Sequence, residues 1–492
     1  MNSFRLQLLP IVCFLLLFAC REKQEQAIVD SETIDNYLDQ VHLANPLPGL
    51  AVVVVSGDQV YSYASGLRQV QDSLPFTRET MFFAGELSEV MIASTALQME
   101  RLGKLQLSDK VSLHIPYFRL EGDYQDISLH HLLTHTSGIP NFSPAWDMPA
   151  FDEEALAATT QSIVYQPMEF AAGTRAKRSP YNIDIAADLL HHIGQLSFEQ
   201  VIQEHYLNPM GLQHSTFDYR QFDTANLAMP HHIGHWLTYE QRPNEIYPYT
   251  RENVGSYGFH TTVNDVQHWM HWTLNHPPTR LFETQYKTGK DTYKGYGWDI
   301  FREDENLIFN NHWGAGGFSA DMSLIPDEKL GVFVWTNTMD DFNPALISSQ
   351  LIGHLQGKEL TPVKPPIHIV MSKLLAEGRC MEEVLAWFEE EHAKAESSYE
   401  INPTLLGQLG VNLLHRLQME KEAIQVFELA VAEYPDSPQA YLNLSEGLLI
   451  NGDLFRAKEV FDQAISMKAP TTPYVAFLKE RIELALENQQ NT

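Results

Sequence analysis

A repeat with a period of 34 residues lies near the C-terminal end of this 492-residue chain. A small, an aromatic and a second small residue recur at the same spacing, first as Ala423, Phe427 and Ala430 and then as Ala457, Phe461 and Ala464. Small residues at this spacing let paired helices approach each other, and a fixed period indicates that each unit stacks on its neighbour. The repeat therefore predicts a stack of helix pairs in the last quarter of the chain.

The period and spacing are typical of tetratricopeptide repeats. Two units are fewer than the three that usually support a stack, so we expect helices around 371–395 and 473–487 to complete and cap it. Before them, Thr361–Pro366 contains three prolines, which favour a stiff, extended segment. We predict a proline-rich linker at 359–370 and an all-α, tetratricopeptide-like domain at 371–492.

The longer part of the chain, from residue 31 to 358, contains both strand-like and helix-like patterns of apolar residues. Residues 51–64 read as two strands around a Gly-Asp turn, and later strands are predicted near 307–309, 319–326 and 331–336. Apolar residues spaced by three and four predict helices near 86–103 and 184–206. Strands at both ends with helices between them predict an α+β domain, in which an antiparallel sheet built from both termini packs against helices.

The N-terminus resembles a bacterial export signal. An apolar run, Leu8–Ala19, follows Arg5 and is too short to span a bilayer. It ends in Leu-Phe-Ala-Cys20, which looks like a lipobox, so we predict a lipoprotein signal peptide at 1–19 and a lipidated Cys20 with a tether at 20–30. The alternative is ordinary signal cleavage near Ala19. Lipidation implies a protein that is exported to the bacterial cell envelope and anchored to a membrane.

Charge and cysteine content restrict the possible partners and crosslinks. The chain carries 63 acidic and 33 basic residues, for a formal charge of −30. Such a surface repels phosphate backbones, which argues against nucleic-acid binding. Of the three cysteines, only Cys380 would remain as a free thiol after signal removal and lipidation, so we expect no intramolecular disulfide.

A run of fourteen residues, Ile127–Pro140, is close to a hallmark of the β-lactamase-related serine hydrolases. This group of the serine β-lactamase/penicillin-binding-protein superfamily includes class C β-lactamases, D-alanyl-D-alanine peptidases and related esterases. Further motifs follow in the expected order at 173–174, 208–212, 253–255, 262–265, 295–298 and 312–318. The resemblance covers about two-thirds of the chain and implies a β-lactamase/transpeptidase-like fold for residues 31–358, with a helical subdomain beside the sheet.

The resemblance breaks where the family holds its nucleophile. Residues 80–90 resemble the start of the catalytic helix, whose motif is Ser-x-x-Lys. Here Glu86 stands at the serine position and Glu89 at the lysine position, and no serine in the chain is followed three residues later by lysine. The two glutamates lie one helical turn apart, so their carboxylates share a face.

The two other pocket motifs are altered to different degrees. The family's Tyr-x-Asn motif, counted without gaps from Gly173, falls on Arg178 and Pro180; a shifted register would bring Tyr181 and Asn182 nearer. In the third motif His312 and Gly314 match, although the following loop is one residue shorter than usual. The resemblance also implies oxyanion-hole amides at Glu86 and Ala315.

The N-terminal signal predicts an envelope lipoprotein, and these substitutions predict that it is catalytically impaired and acts by binding. The alternative is an active serine hydrolase, such as a peptidase, esterase or β-lactamase-like enzyme, that uses non-standard residues; Ser88 is the nearest serine to suspect. A paired-carboxylate mechanism, as in glycosidases, is disfavoured because the family's pocket is shaped around a serine oxygen. The binding partners that we expect are a small-molecule or peptidoglycan-like ligand in the cleft and a protein or peptide on the helical repeats. The repeats could instead only pack against the first domain.

Charge within the pocket suggests a structural role for Arg178. Two like charges in a cleft are costly, and a guanidinium relieves that cost through paired hydrogen bonds. We therefore expect Arg178, with or without Lys177, to bridge Glu86 or Glu89 and plug the pocket, unless all these side chains point into solvent. A divalent ion held by Glu86, Glu89 and His312 is the competing arrangement, but the chain lacks a dense metal-ligand motif such as His-Glu-x-x-His. We expect no metal and no cofactor.

Overall fold

The computed structural model of the protein describes residues 29–120, 126–141, 146–163, 166–278 and 280–490. The predicted signal peptide, Cys20 and most of the predicted tether lie outside these residues. No helix in these described ranges is both long and apolar enough to cross a membrane.

The strands and helices are numbered here in chain order. The strands are β1 (Gly49–Ser56), β2 (Gln59–Gln69), β3 (Leu74–Pro75), β4 (Phe82–Phe83), β5 (His231–His235), β6 (Glu240–Pro243), β7 (His260–Thr261), β8 (Tyr286–Lys287), β9 (Thr292–Lys294), β10 (Asp299–Glu303), β11 (Asn306–Ala315), β12 (Phe318–Ile325) and β13 (Leu330–Thr336). The helices are α1 (Ser31–Ala44), α2 (Leu87–Arg101), α3 (Val111–His114), α4 (Leu129–Leu133), α5 (Ala155–Ser162), α6 (Pro180–Gly194), α7 (Phe198–Ile202), α8 (Asn208–Met210), α9 (Val254–Tyr257), α10 (Val263–Asn275), α11 (Pro344–Leu355), α12 (Ile367–Ala376), α13 (Met381–His392), α14 (Pro403–Val411), α15 (Glu420–Glu433), α16 (Pro438–Ile450), α17 (Leu454–Ser466) and α18 (Pro473–Gln490).

The main sheet is antiparallel and joins both ends of the first domain. Its nine strands run in the order β3-β2-β1-β13-β12-β11-β10-β9-β8. The early strand β1 pairs with the late strand β13, as the sequence predicts. The predicted α+β class with an antiparallel sheet is therefore confirmed, and so is the all-helical C-terminal region.

Both faces of the sheet are covered, which explains the uninterrupted apolar run in β1. Ala51, Val53 and Val55 point to a core shared with α2 and α10. Leu50, Val52 and Val54 point to a second core with α1 and α11. Alternate residues of a strand face opposite sides, so a strand covered on both faces needs apolar residues at every position.

The predicted helix at 184–206 is interrupted in the structure. Helix α6 ends at Gly194, and Gln195 adopts the left-handed conformation with a φ of 54°. Helix α7 then begins with a capping box formed by Ser197 and Gln200, and it continues into a π-helical segment, Gln203–Leu207. The apolar spacing persists across the break because all three segments bury their apolar faces in the same core, and so the spacing alone does not reveal the interruption.

The C-terminal helices pack as the repeat suggests. All six residues of the repeated pattern are buried. Two glycines, Gly410 and Gly447, face the ring of Phe427, and a Cβ atom on Gly410 would lie 2.2 Å from it. Helix α12 begins at Ile367, inside the predicted linker, and α18 extends the predicted capping helix to Gln490. The tetratricopeptide assignment itself remains a prediction.

A hairpin formed by β5 and β6 links the first domain to the C-terminal helices. At its tip, Leu237 packs against the helical core, and the guanidinium of Arg416 lies 5.3 Å from the ring centre of Trp236. The phenol of Tyr239 accepts a hydrogen bond of 3.4 Å from the Asn412 side chain. At its base, the amide of His231 donates to the carbonyl oxygen of Asn337 at 2.9 Å. The hairpin therefore has one end in each part of the protein.

Candidate functional site

The start of α2 is pressed against β11 of the sheet. Gly85 has a φ of 48°, and a Cβ atom there would lie 2.7 Å from the Trp313 ring, so only glycine fits. The Asn311 side chain donates a hydrogen bond of 3.3 Å to the carbonyl oxygen of Glu86. These contacts fix the position at which Glu86 begins the helix.

Glu89, in the first turn of α2, is buried, and both of its carboxylate oxygens are hydrogen bonded. Its Oε1 accepts hydrogen bonds from Arg178 Nε at 3.1 Å and from Arg178 Nη2 at 2.7 Å. Its Oε2 lies 2.9 Å from Nε2 of His135. Burial opposes ionisation, but Arg178 and His135 outweigh it and hold the pKa of Glu89 low, at about 2. Glu89 is therefore a carboxylate whose two oxygens are both bound by neighbouring side chains.

The partners of His135 determine which of its nitrogens carries the proton. Asn182 Oδ1 accepts from the Ser137 hydroxyl at 2.5 Å, so its Nδ2 group is the donor toward His135 Nδ1 at 3.1 Å. The amide of Ser179 also donates to Nδ1, at 3.4 Å. Because Nδ1 accepts, the proton lies on Nε2 and is donated to Glu89. Burial lowers the pKa of His135, which keeps this imidazole neutral.

Glu86 is held less tightly than Glu89. Its Oε2 lies 3.0 Å from Arg178 Nη2, and its side chain is 14% exposed. Burial raises the pKa of Glu86 to about 7, against the opposing effect of Arg178, and the charge of Glu89 adds to the rise. The guanidinium of Arg178 thus pairs with two carboxyl groups. The group that takes up a proton near neutral pH is Glu86.

Arg178 bridges both glutamates, while Lys177 turns away from them. The Arg178 side chain remains 30% exposed, and its guanidinium lies 5.9 Å from the ring centre of Tyr257. Lys177 instead binds Glu169, at 2.6 Å. The ungapped count from Gly173 therefore identifies the residue, Arg178, that contacts the two glutamates. Asn182, which the shifted register would bring into the motif, lies behind His135 in the first turn of α6.

Ser88 points into the protein interior. Its side chain is 0% exposed, and its hydroxyl donates to the Gly85 carbonyl oxygen at 2.6 Å. The Ser88 hydroxyl oxygen also accepts a hydrogen bond of 3.0 Å from the Phe259 amide. Ser88 therefore joins α2 to the segment before β7, and its oxygen is not positioned as a nucleophile.

His312 lies on the opposite face of β11 from Asn311, although its charge still acts on the carboxyl group of Glu86, so its role in the pocket stays a prediction. It lies opposite Asp321, which in turn lies opposite Val334 in the core against α1 and α11. Its Nδ1 is 3.4 Å from Asp321, and the hydrogen bond to Asp321 raises the pKa of His312. Neighbouring residues in a strand face opposite sides, so Asn311 occupies the position that faces Glu86.

The short loop after β11 leaves two possible registers for the third motif, which differ by one residue. Matching the motif at His312 requires a deletion before Phe318, whereas the observed strand places Asn311 beside Glu86 without one. Gly314 is on the same exposed edge as His312, and Ala315 is buried at the end of β11. The turn that follows, Gly316-Gly317, has φ values of 60° and 85°. The oxyanion-hole role of the Glu86 and Ala315 amides remains a prediction.

The competing metal arrangement is not seen in the described part of the chain. Glu86 and Glu89 both contact Arg178, and His312 pairs with Asp321. Among the described residues, no group of three or more His, Cys, Asp and Glu side chains is arranged to hold a metal ion.

Three residues of the site were not assigned to it from the sequence. His135 belongs to the hallmark run and reads there as a fold residue, although a histidine with a φ of 53° is unusual enough to mark a constrained position. Asn311 could have been found from the alternation of β11. Tyr257 lies on α9, far away in the chain, and no local pattern identifies it.

The site is therefore a closed network of hydrogen bonds and ion pairs. Glu89, His135 and Arg178 satisfy one another, and Glu86 is the group left with a variable proton. Such a network can stabilise the cleft and present a guanidinium edge and a titratable carboxyl group to a ligand.

Comparison with known proteins gives consistent matches for the first domain. The sequence model of the family described as Beta-lactamase matches residues 32–353. Protein flp of Staphylococcus aureus (strain MW2) is 23% identical over 340 residues, which cover 66% of this chain and 67% of that protein. The D-alanyl-D-alanine-carboxypeptidase/endopeptidase AmpH of Escherichia coli (strain K12) is 23% identical over 329 residues, or 62% of this chain and 83% of AmpH.

Solved structures share the fold. The octameric penicillin-binding protein homologue from Pyrococcus abyssi superposes with a TM-score of 0.57 at 19% identity, covering 71% of this chain and 82% of that one. The beta-lactamase/D-alanine carboxypeptidase from Yersinia pestis, complexed with citrate, gives a TM-score of 0.55 at 21% identity, covering 66% and 98%.

Proposed function

This chain belongs to the beta-lactamase family, and from that premise we propose that it is an envelope lipoprotein whose cleft binds a ligand without the family's serine chemistry. It is a homologue of β-lactamase and D-alanyl-D-alanine carboxypeptidase-type hydrolases. The observation that carries the proposal is the Glu89–Arg178–His135 network, which occupies the place of the catalytic lysine and tyrosine.

Loss of the nucleophile and its base together supports catalytic impairment. In serine hydrolases these groups act as a unit, and removing a member costs turnover by a factor of about 10⁴ to 10⁶. Glu86 stands at the serine position of the motif, and the nearby Ser88 hydroxyl is buried and hydrogen bonded. The Nδ1 lone pair of His135 accepts hydrogen bonds from Asn182 and Ser179, and its Nε2 proton is donated to Glu89, so this imidazole has no free lone pair to act as a base.

Glu86 is a poor replacement for the serine. Its carboxyl group is bound to Arg178 and is partly protonated near neutral pH. Both features lower its nucleophilicity. The remaining role for this group is recognition, since a carboxyl group beside a guanidinium offers both an acceptor and donors to a ligand. We propose a peptidoglycan-like peptide as the ligand class, because AmpH is a D-alanyl-D-alanine-carboxypeptidase.

Covalent labelling tests the loss of serine chemistry. The chain from Arg21 onward, which retains every residue that the structure describes, is incubated with a penicillin and with a fluorophosphonate and then weighed by intact-mass spectrometry. We expect no adduct on protein that melts cooperatively, while a family member with Ser-x-x-Lys is labelled in parallel. A stable adduct on this chain would overturn the proposal, and peptide mapping would then identify the reacting residue.

Membrane anchoring through Cys20 is a separate part of the proposal. It rests on the apolar run and the lipobox-like sequence. In a bacterial host, we expect the full chain to incorporate labelled palmitate and to sediment with membranes, and we expect Cys20→Ser to abolish the label. Labelling that persists in Cys20→Ser would contradict the predicted anchor.

The C-terminal helices supply a second surface, for which we propose a protein or peptide partner. Phe455, Phe477 and Leu484 are all more than half exposed there. Loss of partner binding in a Phe477→Asp variant, with unchanged labelling and unchanged cleft binding, would separate this role from that of the cleft.

A further inference from the structure

A second cavity lies beside α2, away from the Glu86 site. It encloses about 600 Å³ between the C-terminal half of α2, the segment 205–210, α10 and the residues Pro278, Arg280 and Leu281. Ligand sites in proteins commonly enclose about 300–1,000 Å³. The cavity is therefore large enough for a small organic molecule.

The wall of the cavity is mainly apolar. Leu97 projects from α2, Met210 from α8, Trp272 from α10, and Leu281 closes the far side. Trp272 is 39% exposed even though it is one of the largest apolar side chains of the protein. A concave wall with an exposed indole favours an apolar body as the occupant.

The mouth of the cavity carries a cation that lacks an acidic partner. Arg101, at the end of α2, donates to the Gln98 side chain at 3.1 Å and forms no ion pair within the described ranges of the chain. Arg280, on the opposite side, is neutralised by Glu100. In a chain with a formal charge of −30, an arginine without a carboxylate is available to an external anion.

A pair of hydroxyl groups also borders the cavity. Ser94 is 5% exposed, and its hydroxyl interacts with that of Tyr206, which lines the same cavity. Ser94 lies on the same side of α2 as Leu97 and Arg101, at spacings of three and seven residues. These hydroxyl groups add a small polar area to a wall that is otherwise mainly apolar.

We propose that this cavity binds an amphiphilic anion, with its apolar chain or ring against Leu97, Met210 and Trp272 and its head group paired with Arg101. The head group is a carboxylate or a phosphate; a free fatty acid and a phosphate-bearing lipid fragment share this chemistry. The cavity is separate from the Glu86 cluster, so the inference does not depend on the function proposed above.

Titration calorimetry with the chain from Arg21 onward tests this assignment. The probes are decanoate, decyl phosphate, decanol and decyltrimethylammonium, all below their micellar concentrations. We expect saturable binding of one or both anions, weaker binding of decanol, and the weakest binding of the cation. A preference for decanoate identifies a fatty-acid-type ligand, and a preference for decyl phosphate identifies a lipid-phosphate type.

Charge reversal at the cavity mouth provides the matched control. We expect Arg101→Glu to weaken binding of the anions at least tenfold and to leave decanol binding unchanged. Arg302→Glu, on exposed β10, makes the same charge change elsewhere and should have little effect. Leu97→Trp, which fills the cavity, should weaken the binding of all four probes. If Leu97→Trp does not fold, the result for Arg101→Glu decides the outcome. Absence of saturable anion binding, equal binding of the cation, or equal losses in Arg101→Glu and Arg302→Glu would overturn the proposal.

Discussion

Glu89 and His135 share a buried hydrogen bond of 2.9 Å, and its direction fixes the proton on the imidazole. The donors around Nδ1 of His135 require the proton to lie on Nε2, where it serves Glu89. The ion pair of Glu89 with Arg178 then completes the network. The charge of the site is consequently set by the remaining carboxyl group, Glu86, and the first two predictions concern this balance.

Removing Arg178 should destabilise the protein. In Arg178→Ala, Glu89 stays buried without its cation, and breaking such a pair by deleting one partner typically costs about 3–5 kcal/mol. Because Arg178 is 30% exposed, we expect a smaller loss of unfolding free energy, about 2–3 kcal/mol, measured by denaturant unfolding. Lys177→Ala removes a neighbouring surface ion pair and should cost less than about 1 kcal/mol. Equal effects of the two substitutions would show that Arg178 does not support the network.

Replacing Glu86 should change the pH dependence of stability. The folded pKa of Glu86 is about 7, above its ordinary value of 4.5, so its contribution to stability is fully present below pH 4.5 and is lost as pH rises through 7. Glu86→Gln removes this loss. We therefore expect the variant to gain about 1–3 kcal/mol relative to the wild type between pH 4.5 and pH 8.

Glu89→Gln provides the control with the opposite sign. The folded pKa of Glu89 is lowered, so its contribution is present above pH 4.5 and is lost as pH falls toward 2. This variant should be destabilised more at pH 6 than at pH 3. Parallel pH profiles for the two glutamine variants would contradict the assignment of the titrating group to Glu86.

Ser88 should matter for stability and not for reactivity. Its hydroxyl both donates to Gly85 and accepts from Phe259 in the interior. Ser88→Ala leaves these two backbone groups without their partner, so we expect a loss of about 1–3 kcal/mol. Ser94→Ala, six residues further along the same helix, removes a hydroxyl that interacts with the Tyr206 hydroxyl and not with two backbone groups, so we expect a smaller loss, below about 1 kcal/mol. A loss of fluorophosphonate labelling in Ser88→Ala would instead identify Ser88 as a nucleophile.

The tip of the β5–β6 hairpin should hold the two parts of the protein together. Leu237 packs against the helical core, so Leu237→Asp places a charge in an apolar contact. We expect a loss of about 2–3 kcal/mol and faster proteolysis between residues 359 and 366. Thr238→Asp changes the neighbouring exposed residue and should leave both measurements near their wild-type values. Proteolysis that is unchanged in Leu237→Asp would indicate that this contact is not needed for docking.

Much of the fold follows from local patterns, because those patterns report burial directly. The apolar run of β1 reflects two covered faces, and the small residues of the repeat reflect close helix packing around Phe427. The break at Gln195 could not be predicted in this way. Left-handed backbone is usually signalled by glycine or asparagine, and here the bond from its amide to the His191 carbonyl oxygen stabilises the turn instead.

The site was predictable where the chain follows the family without gaps. Counting from Gly173 identifies Arg178 as the residue that meets the glutamates. The same method does not decide the third motif, because the match at His312 requires a deletion, whereas Asn311 is the residue of β11 that donates a hydrogen bond to Glu86. Alternation along β11, which places Asn311 and Trp313 on the face of α2, is the stronger physical criterion. His135 could not be assigned to Glu89 by any local rule, since the two residues come together only through packing of α2 against the segment after α4.

The β5–β6 hairpin has a consequence for how this protein can evolve. Its base is hydrogen bonded beside the turn that follows β11, and its tip packs against the C-terminal helices. A substitution at Trp236 or Leu237 must therefore be compatible with α12 and with residues 412–416, while a shift at the hairpin base moves the neighbourhood of Gly317. The helices after residue 358 and the β5–β6 hairpin are thus under a shared selective constraint. A substitution in one restricts the substitutions that the other can accept.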